Sequence, residues 1–125
     1  MAGLLKRLVA WWDGASIGTS LYTRRYGTKV GEDAEGNAYY RNAEDTRRWV
    51  IYSGQNDASR VGPDWYGWLH HTFLQPPTEV PIPHKTWEKP HQPNLTGSEG
   101  AFLRQGSIRR ADVKPANDYE AWSPE

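Results

Sequence analysis

Cysteine is absent from the 125 residues, which excludes disulfides, thiolate metal ligands and thiol nucleophiles. A net charge is absent too, because fifteen Lys and Arg balance fifteen Asp and Glu. Without a positive field, counterion release from a phosphate backbone contributes little binding free energy. The composition is therefore not that of a nucleic-acid-binding protein.

A long apolar run is also missing. The most apolar stretch, residues 4–12, is interrupted by Lys6 and Arg7 and is much shorter than the roughly 20 residues that span a bilayer. The chain also lacks the apolar core and small-residue cleavage site of a secretory signal, and no Arg- and Ser-rich presequence precedes its start. We expect a protein without a membrane-spanning helix, which acts where it is made or is seen in its processed form.

Phenylalanine is scarce, with two residues against seven Trp and seven Tyr. Most rings therefore carry a polar edge, which suits an interface where one end of the ring is buried and the other meets a hydrogen-bond partner. Hydrophobic residues make up only 37% of the chain, and Gly and Pro together account for 21 residues. The sequence predicts a thin core and a surface rich in interface residues.

Residues 3–13 have the pattern of a short amphipathic helix. Leu4, Leu8 and Trp11 share one face, while two basic residues fall on the other. The apolar face is suited to packing on a sheet, to binding a partner, or to lying in a membrane interface. Two adjacent rings, Trp11 and Trp12, beside basic residues keep the membrane interpretation open.

The middle of the chain predicts a small antiparallel sheet and a second helix. A hairpin begins near Val30, turns through the Gly-, Asp- and Asn-rich residues 31–37, and returns along residues 38–41. Residues 47–52, rich in β-branched and aromatic side chains, predict a third strand. Residues 63–71 start with a Pro that the first helical turn tolerates and carry apolar side chains at helical spacing.

Residues 72–125 contain eight of the nine Pro and show neither a period of 2 nor one of 3.6. We predict an α+β fold of low regular structure with three parts. Residues 1–20 form the amphipathic helix and a linker, residues 21–71 form a head of β-sheet and helix, and residues 72–125 form an extended, Pro-rich, partner-binding tail.

The tail could be a disordered linker or a segment laid along a partner. Solvating linkers are poor in aromatics, whereas this tail carries Trp87, Phe102, Tyr119 and Trp122 as spaced anchors. Its prolines reduce the entropy lost when an extended chain is fixed on a surface. The core of a head of this size rarely contributes more than about 3–5 kcal/mol of folding free energy without disulfides, a bound metal or association with a partner. We therefore expect folding and binding to be coupled.

Neither a metal site nor a catalytic site is predicted. The adjacent His70 and His71 would point about 100° apart on a helix, and His84 and His91 lie in the tail without a metal-binding motif. The acidic residues of the turn at 31–37 are typical of solvent-exposed turns, and no Gly-rich phosphate loop follows a strand. We expect no catalytic residue, bound cofactor or metal of the chain's own.

The candidate site is a partner interface built from aromatic side chains and one arginine pair. Arginine pairs bind carboxylates or phosphates, including lipid headgroups, but they equally form solvated faces or structural ion pairs. The candidate interface residues are Trp11, Trp12, Trp49, Trp65, Trp68, Trp87, Phe102, Arg109, Arg110, Tyr119 and Trp122.

Several ordered blocks carry a family resemblance. They are residues 27–33 (GTKVGED), 36–40 (GNAYY), 48–52 (RWVIY), 57–70 (DASRVGPDWYGWLH) and 87–97 (WEKPHQPNLTG). Together they closely resemble the 17.2 kDa accessory subunit family of NADH:ubiquinone oxidoreductase, respiratory complex I. The chain looks like a bacterial member of that family.

The resemblance implies a non-catalytic accessory subunit without a redox cofactor, in a complex that carries FMN, iron-sulfur clusters and ubiquinone. It would bind the hydrophilic arm near the membrane arm, beside core subunits of the quinone-reducing region and the iron-sulfur relay, and support assembly and stability. A bacterial form would lie peripherally on the cytoplasmic side of the inner membrane, and a mitochondrial form on the matrix side. The alternatives are a transient assembly factor of complex I and a free-standing lipid- or RNA-binding module.

Overall fold

The computed structural model describes residues 2–10, 14–104, 106–110 and 121–125. Its contacts divide the chain into two compact units, Met1–Pro93 and Asn94–Glu125. The elements of the first unit, in chain order, are α1 (Ala2–Val9), α2 (Ile17–Tyr26), β1 (Thr28–Glu32), β2 (Ala38–Arg41), β3 (Arg48–Ile51), a 3-10 turn (Ala58–Arg60) and α3 (Pro63–Leu69). The predicted α+β class is confirmed. Among the described residues, no helix is both long enough and apolar enough to cross a bilayer.

Helix α2 is the element that the sequence did not predict. Ser16 caps its start by accepting a hydrogen bond from the Thr19 N–H, and the Gly27 N–H closes its end on the Thr23 carbonyl. Its interior contains Gly, Thr and Ser, which are poor helix formers, so local propensity alone does not favour a helix. Contacts with β3 favour it instead, because Thr23 is buried and accepts a hydrogen bond from the Trp49 indole N–H at 2.9 Å.

The three strands form an antiparallel sheet in the order β1-β2-β3, as predicted. The turn between β1 and β2 is built around Asp33, whose Oδ1 accepts hydrogen bonds from the backbone N–H groups of Glu35 and Asn37 at 2.9 Å each. Gly36 has φ of +83°, a conformation that a side chain disfavours. Asn37 is fully buried and links the turn to the end of β3, because its Oδ1 accepts from the Ser53 N–H.

The core lies where α3 packs on β2. The rings of Tyr39 and Trp65 stack with centroids 4.0 Å apart, and Trp68 meets both rings edge-on. Val61 completes the buried apolar cluster. Pro63 occupies the first turn of α3, as the sequence predicts, because that turn has N–H groups without helical partners.

Residues 72–93 have no regular secondary structure but belong to the first unit. Pro76 is buried, and the segment is held at several points by hydrogen bonds to the sheet and to α3. We call residues 77–91 the strap and residues 94–125 the distal tail. Within its described residues, the distal tail consists of turns, such as the one closed by the Ser98 N–H on the Leu95 carbonyl.

Candidate partner interface

Three predicted interface residues of the head contribute to the fold of the chain. Trp65 is 7% exposed and Trp68 is 0% exposed, so both rings are packed in the core of the first unit. Trp49 is half-buried, donates its indole N–H to Thr23 and stacks on Tyr40. The thin core therefore uses rings whose polar edges suggested an interface, and their contact with a partner stays a prediction.

The predicted residues of the tail are exposed. Trp87 is 76% exposed, Phe102 is 91% exposed and Trp122 is 82% exposed. Arg109 is exposed as well, whereas Arg110 is half-buried and donates a hydrogen bond to the Leu103 carbonyl at 3.4 Å. Trp11, Trp12 and Tyr119 lie outside the described residues. Three large exposed rings in a chain with so few core residues are typical of contacts with a partner.

Apolar side chains outside the predicted interface residues are also exposed, and of these sequence reasoning missed Leu74. Leu74, just before the strap, is 80% exposed, and no local pattern marks it. On α1, Leu5, Leu8 and Val9 are all exposed, so these side chains do not pack on the sheet. Helical periodicity found this apolar side but could not say what covers it.

A groove of about 820 Å³ lies between the β1–β2 turn, the start of α3 and the strap. Trp65 contributes to its lining from α3, and Trp87 and Pro90 contribute from the strap. Carboxylates of the turn, of α3 and of the strap also line it. The sequence predicted neither the groove nor the return of the strap onto the head.

Several titratable groups near the groove have shifted pKa values. Burial opposes the ionisation of Asp33, but hydrogen bonds from Asn37, Tyr39 and Glu35 outweigh burial and lower its pKa. Burial, together with the bond to Asp33, raises the pKa of the Tyr39 phenol far above its ordinary value. Both groups are used inside the fold, because the Tyr39 hydroxyl donates to Asp33 Oδ2 at 2.9 Å.

His84 of the strap bridges two carboxylates. Its Nδ1 lies 2.7 Å from Glu88 Oε2, and its Nε2 lies 2.9 Å from Asp64 Oδ2 at the start of α3. The hydrogen bonds to Glu88 and Asp64 raise the pKa of His84, and the bond to His84 in turn lowers the pKa of Glu88. Within the described part of the chain, no group of three or more His, Asp and Glu side chains is placed to hold a metal ion.

The fold and these surfaces define a small α+β protein whose C-terminal residues expose aromatic side chains. A family model described as NADH ubiquinone oxidoreductase subunit NDUFA12 matches residues 27–124. The chain belongs to this family of complex I subunits, which confirms the resemblance found in the sequence.

Relatives from distant organisms match over most of the chain. The NADH dehydrogenase (ubiquinone) 1 alpha subcomplex subunit 12 of Mus musculus is 44% identical over 112 residues, and that of Bos taurus is 36% identical over 112 residues; each match covers 77% of this chain and 77% of the relative. The subunit of the same name from Dictyostelium discoideum is 37% identical over 94 residues, which cover 70% of this chain and 68% of the relative.

Proposed function

We propose that the chain is a non-catalytic accessory subunit of respiratory complex I that stabilises or helps to assemble the hydrophilic arm near its junction with the membrane arm. The observation that carries the proposal is the exposure of Trp87, Phe102 and Trp122 along the tail of a chain that belongs to this family. The relatives support it, since their names describe them as subunits of the alpha subcomplex of NADH dehydrogenase.

The chain contributes attachment rather than chemistry. Asp33, whose pKa is lowered, and Tyr39, whose pKa is raised, bond to each other inside the fold, so neither is free to act as a general acid or base. It carries no redox cofactor of its own, and electron transfer through FMN, iron-sulfur clusters and ubiquinone belongs to the rest of the complex. Its partners are core subunits of the quinone-reducing region and the iron-sulfur relay.

Truncation after Pro93 tests the attachment. This position is the boundary between the two units, and it keeps the strap, which belongs to the first unit. We expect the shortened protein to lose most of its retention on the complex during native purification and salt washing. Retention equal to that of the full chain would show that the distal tail is not an anchor.

Single substitutions refine the same test. Phe102→Ala and Trp122→Ala should each weaken association by about 2 kcal/mol, as truncation of hot-spot aromatics does. Leu74→Ala is the matched control, because Leu74 is similarly exposed but lies outside the strap and the distal tail. Equal loss from all three substitutions would argue against anchors specific to the distal tail.

Stoichiometry decides between the proposed subunit and a transient assembly factor. Quantitative mass spectrometry of active, NADH-oxidising complex should find one copy of the chain per complex. A chain found only on incomplete intermediates would instead be an assembly factor, which is the alternative that the sequence left open.

Helix α1 supports a peripheral contact with the membrane surface. Leu5, Leu8 and Val9 expose their apolar side chains, and residues 1–26 carry four Lys and Arg against one Asp. In a bacterium the subunit would lie on the cytoplasmic side of the inner membrane, and in mitochondria on the matrix side. Flotation of the full chain should be stronger with anionic than with zwitterionic vesicles, and Leu5→Glu should abolish it.

A further inference from the structure

One side of the groove beside α3 is formed by the strap, which hydrogen bonds and packing hold against the rest of the first unit. The strap contacts the rest of the first unit at three points along its length. Near the start of the strap, Thr78 packs against Gly31. A Cβ added to Gly31 would lie 2.8 Å from the Thr78 methyl group. In the middle of the strap, His84 reaches Asp64, and at its end His91 Nε2 lies 2.7 Å from the Ser59 carbonyl oxygen. A groove fixed in this way loses little entropy when it binds a ligand.

Trp87 lies on the strap, lines the groove and is 76% exposed. It lies between two attachment points of the strap, His84 and His91, so the fold restrains its backbone without covering its ring. A large aromatic side chain on a restrained backbone binds a partner with little further loss of freedom. Residues of this kind dominate the free energy of protein interfaces.

The charge of the groove selects the partner. Its lining carries five carboxylates against the two permanent cations Arg60 and Lys89. Each carboxylate already has a partner within the chain: Glu32 pairs with Lys29, Asp33 accepts from Tyr39, Glu35 accepts from Arg60, and His84 bridges Asp64 and Glu88. The Arg60 guanidinium is already used, since it donates to Glu35 and to two backbone carbonyls. Carboxylates still outnumber the permanent cations of the lining, so an anionic partner would be repelled. A cationic partner gains from both the carboxylates and the ring.

We propose that this groove binds an extended, arginine-bearing segment of a neighbouring subunit. A guanidinium fits the combination best, because it stacks on a Trp face and bonds carboxylates with its planar edge. The cation would lie over Trp87 and donate to free oxygens of Glu35 and Glu88. The inference rests on the proposed function and adds to it the chemistry of one partner contact.

Release of fluorescently labelled subunit from immobilised, assembled complex measures the contact. Trp87→Ala should speed release about 30-fold, the equivalent of losing one aromatic hot spot. Glu88→Lys should speed release several-fold and should reduce the salt dependence of the wild-type rate. Unchanged release rates in both variants would overturn the proposal.

Two controls lie on the same surface but outside the groove lining. Thr86→Ala shortens the exposed side chain next to Trp87 in the sequence. Glu79→Lys makes the same charge change as Glu88→Lys at an exposed position outside the groove. Both should keep release within about twofold of wild type, since surface changes away from contacts are usually small. The urea midpoint of each variant should match wild type, which separates lost contact from lost folding.

Cross-linking identifies the occupant directly. Replacement of Trp87 by p-benzoylphenylalanine, followed by irradiation of the assembled complex, should label a peptide with an arginine within a few residues of the cross-link. A cross-link to an acidic or uncharged segment or to lipid, or no cross-link at all, overturns the groove proposal even if the chain co-purifies at one copy per complex. Failure of the unmodified chain to co-purify overturns the proposed function instead, and the groove proposal with it.

Discussion

Arg48 satisfies acceptors in three separate parts of the first unit. Its Nε and one terminal nitrogen bond both oxygens of Asp45, and its remaining donors reach the carbonyls of Trp68, Phe73 and Leu74. All five N–H donors are therefore used, and the guanidinium also stacks 4.8 Å from the Trp68 ring. The side chain is 1% exposed. One residue thus joins the start of β3, the end of α3 and the segment that leads to the strap.

Arg48→Ala should cost about 3–5 kcal/mol, because it leaves a carboxylate and three carbonyls without their donor. That loss equals the whole stability expected of so small a core, so the variant should be largely unfolded at 25 °C. Urea unfolding of the full chain measures it. Arg47→Ala, at the exposed neighbouring position, is the control and should change stability by less than about 0.5 kcal/mol. Similar midpoints for the two variants would contradict this account.

Asp33 makes stability depend on acid pH. Its pKa is lowered in the folded chain, so its contribution is complete above the unfolded value of about 3.8 and is lost as pH falls through the folded pKa. Asp33→Asn should cost about 1–2 kcal/mol at pH 7. The difference between wild type and variant should shrink below about pH 4. Urea unfolding between pH 7 and pH 3 checks this, with Glu44→Gln at an exposed site as the control. A difference that stays constant across this range would refute the assignment.

At the scale of elements, α2 depends on a close approach at its end. A Cβ on Gly27 would lie 2.6 Å from the Thr23 carbonyl oxygen and 2.8 Å from the Trp49 ring. The backbone oxygen cannot move without breaking the end of the helix. The contact between α2 and β3 therefore requires glycine at this position.

Gly27→Ala should destabilise the chain by about 1–3 kcal/mol, the usual cost of overpacking. Gly18→Ala is its matched opposite, because a Cβ inside α2 at that position meets nothing closer than 3.9 Å. It should stabilise by about 0.5–1 kcal/mol through helix propensity. Urea midpoints and far-ultraviolet circular dichroism distinguish the two, and a loss of helix in both variants would be inconsistent with packing as the cause.

The three strands of the sheet and helix α3 were predicted from the sequence because the patterns that indicate them are local. A turn rich in Gly, Asp and Asn, a Pro at the first helical position and a run of β-branched residues each restrict the backbone within a few residues. Helix α2 was not predictable in this way, since its stabilising contacts come from Trp49, more than 20 residues away. The strap was missed for the same reason, because His84 and His91 reach acceptors on α3 and on the turn before it.

At the scale of the whole molecule, the boundary between the two units falls after Pro93 rather than at the start of the predicted tail. The predicted tail therefore has two parts with different tasks. The strap completes the packing of the first unit and forms the groove, whereas the distal tail exposes Phe102 and Trp122. Under the proposed function, attachment to the complex uses these two surfaces, which differ in chemistry.

Two truncations separate these tasks. A chain ending at Pro93 should keep the melting temperature of the full chain within about 3 °C, since it retains the first unit. A chain ending at Gln75 should lose more than about 8 °C, because it removes buried Pro76 and the attachments of His84 and His91. Scanning calorimetry measures both. Equal melting temperatures would show that the strap contributes nothing to folding.

The amino-acid sequence by itself determined the family, the hairpin, α3 and the absence of a covalent staple. These properties depend on residue identity or on neighbours close along the chain. Only the tertiary structure decided which tryptophans are buried. Positions 65, 68 and 87 are all tryptophan. Yet Trp65 and Trp68 are buried in the core, whereas Trp87 is exposed on the strap. The physical reason is that burial depends on what the rest of the chain covers, which no local pattern records.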